Sequence, residues 1–207
     1  MSSGYRKLYI AVIIIVILIS TATISFSYFY SNSKGKSTVT PESAYVGLSL
    51  NVERVTSDNT IGLLPTQDTN LQNALNGTTN GSCVDEDGKG ICQLYQITVT
   101  NTGNVISTLS SKIELYAVGE NSKFTNLKWA EINSATDATP FGKVHTMNDQ
   151  NWKTSFVMGP GSSSKFYILI WLSDTGKSQN NYDRGNFAGT VQFNSTAGTG
   201  ANATFIG

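Results

Sequence analysis

Apolar and polar residues alternate along most of this chain with a period of two, which sends successive side chains to opposite faces of a strand. In AYVGLSLNVERVT (44–56), Val46, Leu48, Leu50 and Val52 fall on one face. From Cys92 the pattern becomes regular. CQLYQITVT (92–100) ends in the turn Asn101-Thr102-Gly103-Asn104, and SKIELYAV (111–118) and NLKWAEI (126–132) follow. TSFVM (154–158) runs into Gly159-Pro160-Gly161. The next strand, KFYILIWL (165–172), is the most apolar and is predicted at the centre of a sheet, because a strand covered on both faces has no polar side to show. FAGTVQFNS (187–195) and ANATFI (201–206) close the chain. The stretch 57–82 is polar and turn-rich, with a short helix predicted around Leu71 to Leu75. Eight or so short strands at this spacing predict an all-β fold, a jelly-roll-like β-sandwich over residues 44–207.

Ahead of this body the pattern changes twice. Arg6 and Lys7 precede LYIAVIIIVILI (8–19), and Ser20-Thr21-Ala22 supplies a small-x-small cleavage pattern, so residues 1–22 read as a secretory signal peptide. The alternative is an uncleaved membrane anchor over 8–30, since hydrophobicity continues to Tyr30. TISFSYFY (23–30) argues for cleavage. Ile24, Phe26, Tyr28 and Tyr30 alternate with Ser25, Ser27 and Phe29, the period of a strand with one apolar face, which a helix in lipid does not need. Residues 23–31 are therefore predicted to be a strand, and 32–43, rich in Ser, Lys and Gly with Pro41, an extended linker.

Composition narrows the function. The 207 residues carry no net charge and only 14% are charged, so nucleic acid finds no basic footprint. The only two cysteines, Cys83 and Cys92, flank a Gly-containing acidic turn, and in an exported chain such a pair predicts a structural disulfide; their spacing is not C-x-x-C. Four sequons, at Asn76, Asn80, Asn194 and Asn202, are N-glycosylation acceptor patterns. These features place the protein outside the cell, at its surface.

WLSDTGKS (171–178) contains both an aspartic-protease signature and the end of a phosphate loop. The phosphate loop fails because Trp171 stands where its first glycine belongs. The protease needs two carboxylates sharing a proton, and one Asp-Thr-Gly followed by Lys177 supplies only Asp174, which is read as part of a polar loop. Asp85, Asp87 and Gly90 fit positions one, three and six of an EF-hand, but Lys89 and Gln96 occupy places that need oxygen ligands. His145, the sole histidine, lies in FGKVHTMNDQ (141–150) and is predicted to face solvent in a loop. The expectation is a protein without catalytic, cofactor-binding or metal-ligating residues, and not an enzyme.

The segment GPGSSSKFYILIWLSDTGKSQNNYDRGNFAGTVQF (159–193), with ITVTNTGN (97–104) and the secretory N-terminus, resembles the fibre-forming proteins of the TasA and camelysin family and the related subunits of archaeal threads and bundling pili. That resemblance implies a jelly-roll-like sandwich and donor-strand exchange, in which an N-terminal strand of one subunit completes the sheet of the next. Its partners would be copies of itself, and its role adhesion or biofilm formation. Camelysin carries a metallopeptidase label, but no zinc motif is present here, so assembly is carried over and proteolysis is not. Burying Ile24, Phe26, Tyr28 and Tyr30 of the donor strand in a neighbour would contribute about 6–12 kcal/mol before ordering costs, an upper figure. A dozen linker residues at about 3.3 Å each reach at most about 40 Å, the diameter of a body of this size. The rival readings are a membrane-anchored β-sandwich that binds a ligand or protein, and a secreted peptidase.

Overall fold

The computed structural model describes residues 44–56, 63–76, 83–118, 125–135, 143–177 and 186–207. The signal or anchor, the donor strand with Ile24, Phe26, Tyr28 and Tyr30, and the linker lie outside the described residues, and the chain divides into units at 1–43 and 44–207. Among the described residues no helix is long and apolar enough to cross a membrane.

The second unit is an all-β sandwich with one helix among the described residues. Its elements are β1 (Leu48–Arg54), α1 (Asp68–Asn76), β2 (Cys92–Asn101), β3 (Ser107–Val118), β4 (Leu127–Ile132), β5 (His145–Thr146), β6 (Phe156–Met158), β7 (Ser163–Leu172), β8 (Asn186–Ser195) and β9 (Gly200–Ile206). One sheet has the order β1-β2-β7-β4-β5 and the other β6-β3-β8-β9, every pair antiparallel. The predicted central strand is central: β7 lies between β2 and β4.

Its unbroken apolar run has a clear cause. Phe166, Ile168, Ile170 and Leu172 point between the sheets and meet Tyr95, Ile97, Trp129, Phe193 and Phe205. Tyr167, Leu169 and Trp171 point the other way, into a second cluster with Leu71, Ala74 and Leu75 of α1, the Cys83–Cys92 bridge and Leu94. The described part of the second unit thus has three layers, helix on sheet on sheet, and β7 is buried on both faces. Asp68, in the first turn of α1, ties the helix to the sheet: its carboxylate accepts from Trp171 Nε1 at 2.9 Å and pairs with Lys128 Nζ at 3.0 Å. In the other sheet Phe205 sits opposite Gly189, and a Cβ there would run into the phenyl ring. An aromatic side chain covering a cross-strand glycine fills the space that residue leaves empty.

Candidate functional site

The strands at the margins of the two sheets differ. β5 and β6 are two and three residues long. The chain beside β6 continues to cover the outer side of β3, where Ser111 N donates to Lys153 O, Trp152 N to Ser111 O and Ile113 N to Gln150 O. On the other side stand two strands of seven residues each, β1 and β9, neighbours across the sandwich and each paired, among the described strands, to one strand only. A strand paired on one side leaves a row of backbone donors and acceptors for an added strand. Leu48, Leu50 and Val52 of β1 and Ala201 and Ala203 of β9 turn inward but remain partly exposed, so the core is thinly covered along this seam.

At one end of the seam the chain enters β1 through a tight corner. Asn101 is fully buried; its Nδ2 donates to Val105 O at 2.8 Å and Met158 O at 3.2 Å, and its Oδ1 accepts from Gly103 N at 3.0 Å. Asn104 Oδ1 accepts from Tyr45 N at 2.9 Å, and Thr102 N donates to Gly47 O. Cβ atoms at Gly47 or Gly103 would collide with the facing segment, which explains both glycines. The turn signal Asn-Thr-Gly-Asn located this corner in the sequence; the buried side-chain network of Asn101 had no sequence signature.

Cys83 and Cys92 are bonded, with Cα atoms 4.9 Å apart, and both are buried under α1. The bridge fits an oxidising compartment. It closes a hairpin shaped by Asp85, whose Oδ1 accepts from Asp87 N and Lys89 N while Gly88 takes a positive φ of 77°. The carboxylate that falls at position one of the EF-hand pattern is thus engaged by its own backbone, and among the described residues no three His, Cys, Asp or Glu side chains gather around a metal-sized space. Reduction of the bridge should lower stability by about 2–3 kcal/mol through the added freedom of the unfolded loop, measured as a drop in urea midpoint on adding reductant. An unchanged midpoint would contradict this.

Asp174 also serves its own turn: Oδ1 accepts from Gly176 N at 2.8 Å, and its backbone N donates to Thr66 O.

The expectation for His145 needs correction. It is 7% exposed, not solvent-facing, because the two-residue strand β5 turns it inward, where its ring stacks on Trp129 at 3.9 Å and 8°. Nδ1 lies 3.0 Å from Asp149 Oδ2, which Lys143 Nζ also approaches at 2.8 Å. Burial pushes the imidazole pKa below its usual 6.5, and Lys143 adds to this; the Asp149 carboxylate opposes the shift without cancelling it. A base with a lowered folded pKa takes up fewer protons folded than unfolded, so stability should fall as pH drops through 6.5 and level off below the folded pKa. His145→Gln should flatten that part of a pH–stability profile. An equal slope in both proteins between pH 7.5 and 5 would show that His145 is not its source.

Of the four sequons, Asn194 and Asn202 lie on β8 and β9; Asn80 and the side chain of Asn76 are outside the described residues.

No family model and no curated protein matches this sequence. Solved structures similar to it include a FixG-related protein from Vibrio parahaemolyticus, 7% identical over 77% of this chain and 93% of that one, with a TM-score of 0.35. The sporulation control protein Spo0M from Bacillus subtilis is 10% identical over 78% and 47%, also at 0.35. The DNA-binding domain of Cep-1 from C. elegans is 10% identical over 76% and 87%, at 0.36. At such scores nothing of their function passes to this chain.

Proposed function

We propose that this protein is an exported structural subunit of an extracellular filament, in which residues 23–31 of one copy add as a strand to the β1 edge of the next. The observation that carries this reading is the condition of β1: seven residues, bonded among the described strands to β2 alone, with Leu48, Leu50 and Val52 only partly covered. A foreign strand with apolar residues at every second place satisfies both deficits at once, bonding the open backbone edge and covering the seam. TISFSYFY has that alternation. Each subunit then gives a strand at one site and receives one at another, a heterologous contact that propagates without closing. The partners are further copies of this chain, the role is mechanical or adhesive, and no catalytic group is required. The disulfide under α1 suits a chain that works in an oxidising exterior.

The reading is tested on material taken from the native cell surface. A mature chain beginning at Thr23, recovered in filaments visible by electron microscopy, is the expected result. A chain that still begins at Met1 or Ser2, held in the membrane with no filaments, would instead establish the anchored binding module.

A further inference from the structure

We propose that Asn202 is an N-glycan acceptor of the exported protein and that Asn194, on the adjacent strand, is not. Both belong to sequons and both lie on the outer face of the second sheet, in neighbouring rows of the β8–β9 ladder, where Gln192 pairs with Asn202 and Asn194 with Gly200. Their surroundings differ in the features that attachment requires.

The Asn194 sequon is locked into the structure. Asn194 lies on an interior strand, paired with Ser110 of β3 on one side and Gly200 of β9 on the other. Its side chain is half-buried: Oδ1 accepts from Gln192 Nε2 and lies so close over Gly200 that a Cβ there would come within 2.7 Å. Ser195 is buried, its N donating to Thr199 O and its Oγ accepting from Thr199 N, and Thr196 N donates to Thr108 O. To present Nδ2 together with the Thr196 hydroxyl, the β8–β9 turn would have to open.

The Asn202 sequon is presented as folded. Asn202 and Thr204 both point outward from β9 and are exposed, and among the described strands β9 pairs with β8 alone, so the strand is approachable from its other side. The reaction this permits is a transfer from a lipid-phosphate- or lipid-diphosphate-linked oligosaccharide. Asn202 Nδ2 forms a bond to the anomeric carbon as the bond from that carbon to the phosphate oxygen breaks. The phosphate leaves with the electron pair, one amide proton passes to solvent, and no oxidant or reductant takes part.

A second feature of β9 points the same way. GANATFI (200–206) contains no Lys, Arg, Asp, Glu or Pro, yet it is a seven-residue margin strand with Ile206 73% exposed. Proteins blunt such strands against stray pairing with charge, proline or a cover. β1, by comparison, carries Glu53 and Arg54. A glycan rooted at Asn202 supplies β9 with a hydrated cover that its sequence lacks. The assignment stands whether or not the protein polymerises.

Protein isolated from its native surface tests it by mass spectrometry with fragmentation that keeps glycans attached, needed because no Lys or Arg lies between the two sites. The expected result is a glycan on Asn202 and a bare Asn194. Asn202→Gln and Thr204→Val should each lower the intact mass by one whole glycan, and Asn194→Gln should leave it unchanged apart from the substitution. A bare Asn202 in the wild-type protein overturns the proposal, as does a glycan on Asn194, whatever is attached at Asn76 or Asn80.

Discussion

Phe26→Asp should abolish filaments while the sandwich still folds and is exported, and Ser27→Asp should leave them largely intact. In the period-two register Phe26 shares a face with Ile24, Tyr28 and Tyr30, the face that would cover the β1 seam of the next subunit. A carboxylate carried there loses its water without gaining a partner, since the inward residues of the seam are Leu48, Leu50, Val52, Ala201 and Ala203. Desolvating it costs several kcal/mol, on the order of the entire gain of about 6–12 kcal/mol estimated for the donated strand. Ser27 faces the other way, where a carboxylate stays hydrated and costs little. Both variants are imaged by electron microscopy after export and a folded body have been confirmed. Normal filaments from Phe26→Asp, or equal loss in both, would reject the register and with it the strand donation.

The contrast between strands that were legible and contacts that were not runs through the whole molecule. Every long strand but β7 was visible in the alternation, to within a few residues at the ends, because one face of each must be apolar to reach the core. KFYILIWL (165–172) could be placed at a sheet centre since only a strand covered on both faces can dispense with polar positions. What covers its far face was less visible. A helix was predicted around Leu71 to Leu75 and spans Asp68–Asn76, but nothing in the polar stretch about it announced that Asp68 would hold Trp171 and Lys128 on the sheet. Such tertiary bonds join residues far apart in sequence and leave no local period. The disulfide was legible for a simpler reason: two cysteines around a turn have one way to pair.

His145 shows the opposite failure. A two-residue strand is too short to carry a period, so the polarity of the surrounding loop dominated the reading, and the ring that stacks on Trp129 went unseen. The acidic hairpin and the Asp-Thr-Gly turn looked chemical because aspartate is common in both metal sites and tight turns. Here Asp85 and Asp174 each accept hydrogen bonds from backbone amides a few residues on, which is turn chemistry.

The largest stability loss from a single polar residue is expected at Asn101. Asn101→Leu keeps the branched shape and the number of side-chain heavy atoms but is bulkier, and it leaves three backbone groups, Val105 O, Met158 O and Gly103 N, without the side-chain partner each now has. An unmet buried donor or acceptor costs about 1–3 kcal/mol, so the three together should cost about 3–9 kcal/mol, a large part of the 5–15 kcal/mol typical of a whole domain. Leucine offers no recompense, because the corner is built from main chain folded onto main chain: Asn101 N donates to Ser162 O and Gly161 N donates to Asn101 O at the same place. Asn104→Ala is the matched control. Its side chain accepts from an exposed amide, Tyr45 N, where water can take its place, so the loss should stay near 1 kcal/mol or below. Urea unfolding of the two variants separates the cases: a midpoint that falls far more for Asn101→Leu than for Asn104→Ala is expected, and equal small losses would mean that water takes over the bonds of Asn101 and that the corner is not closed.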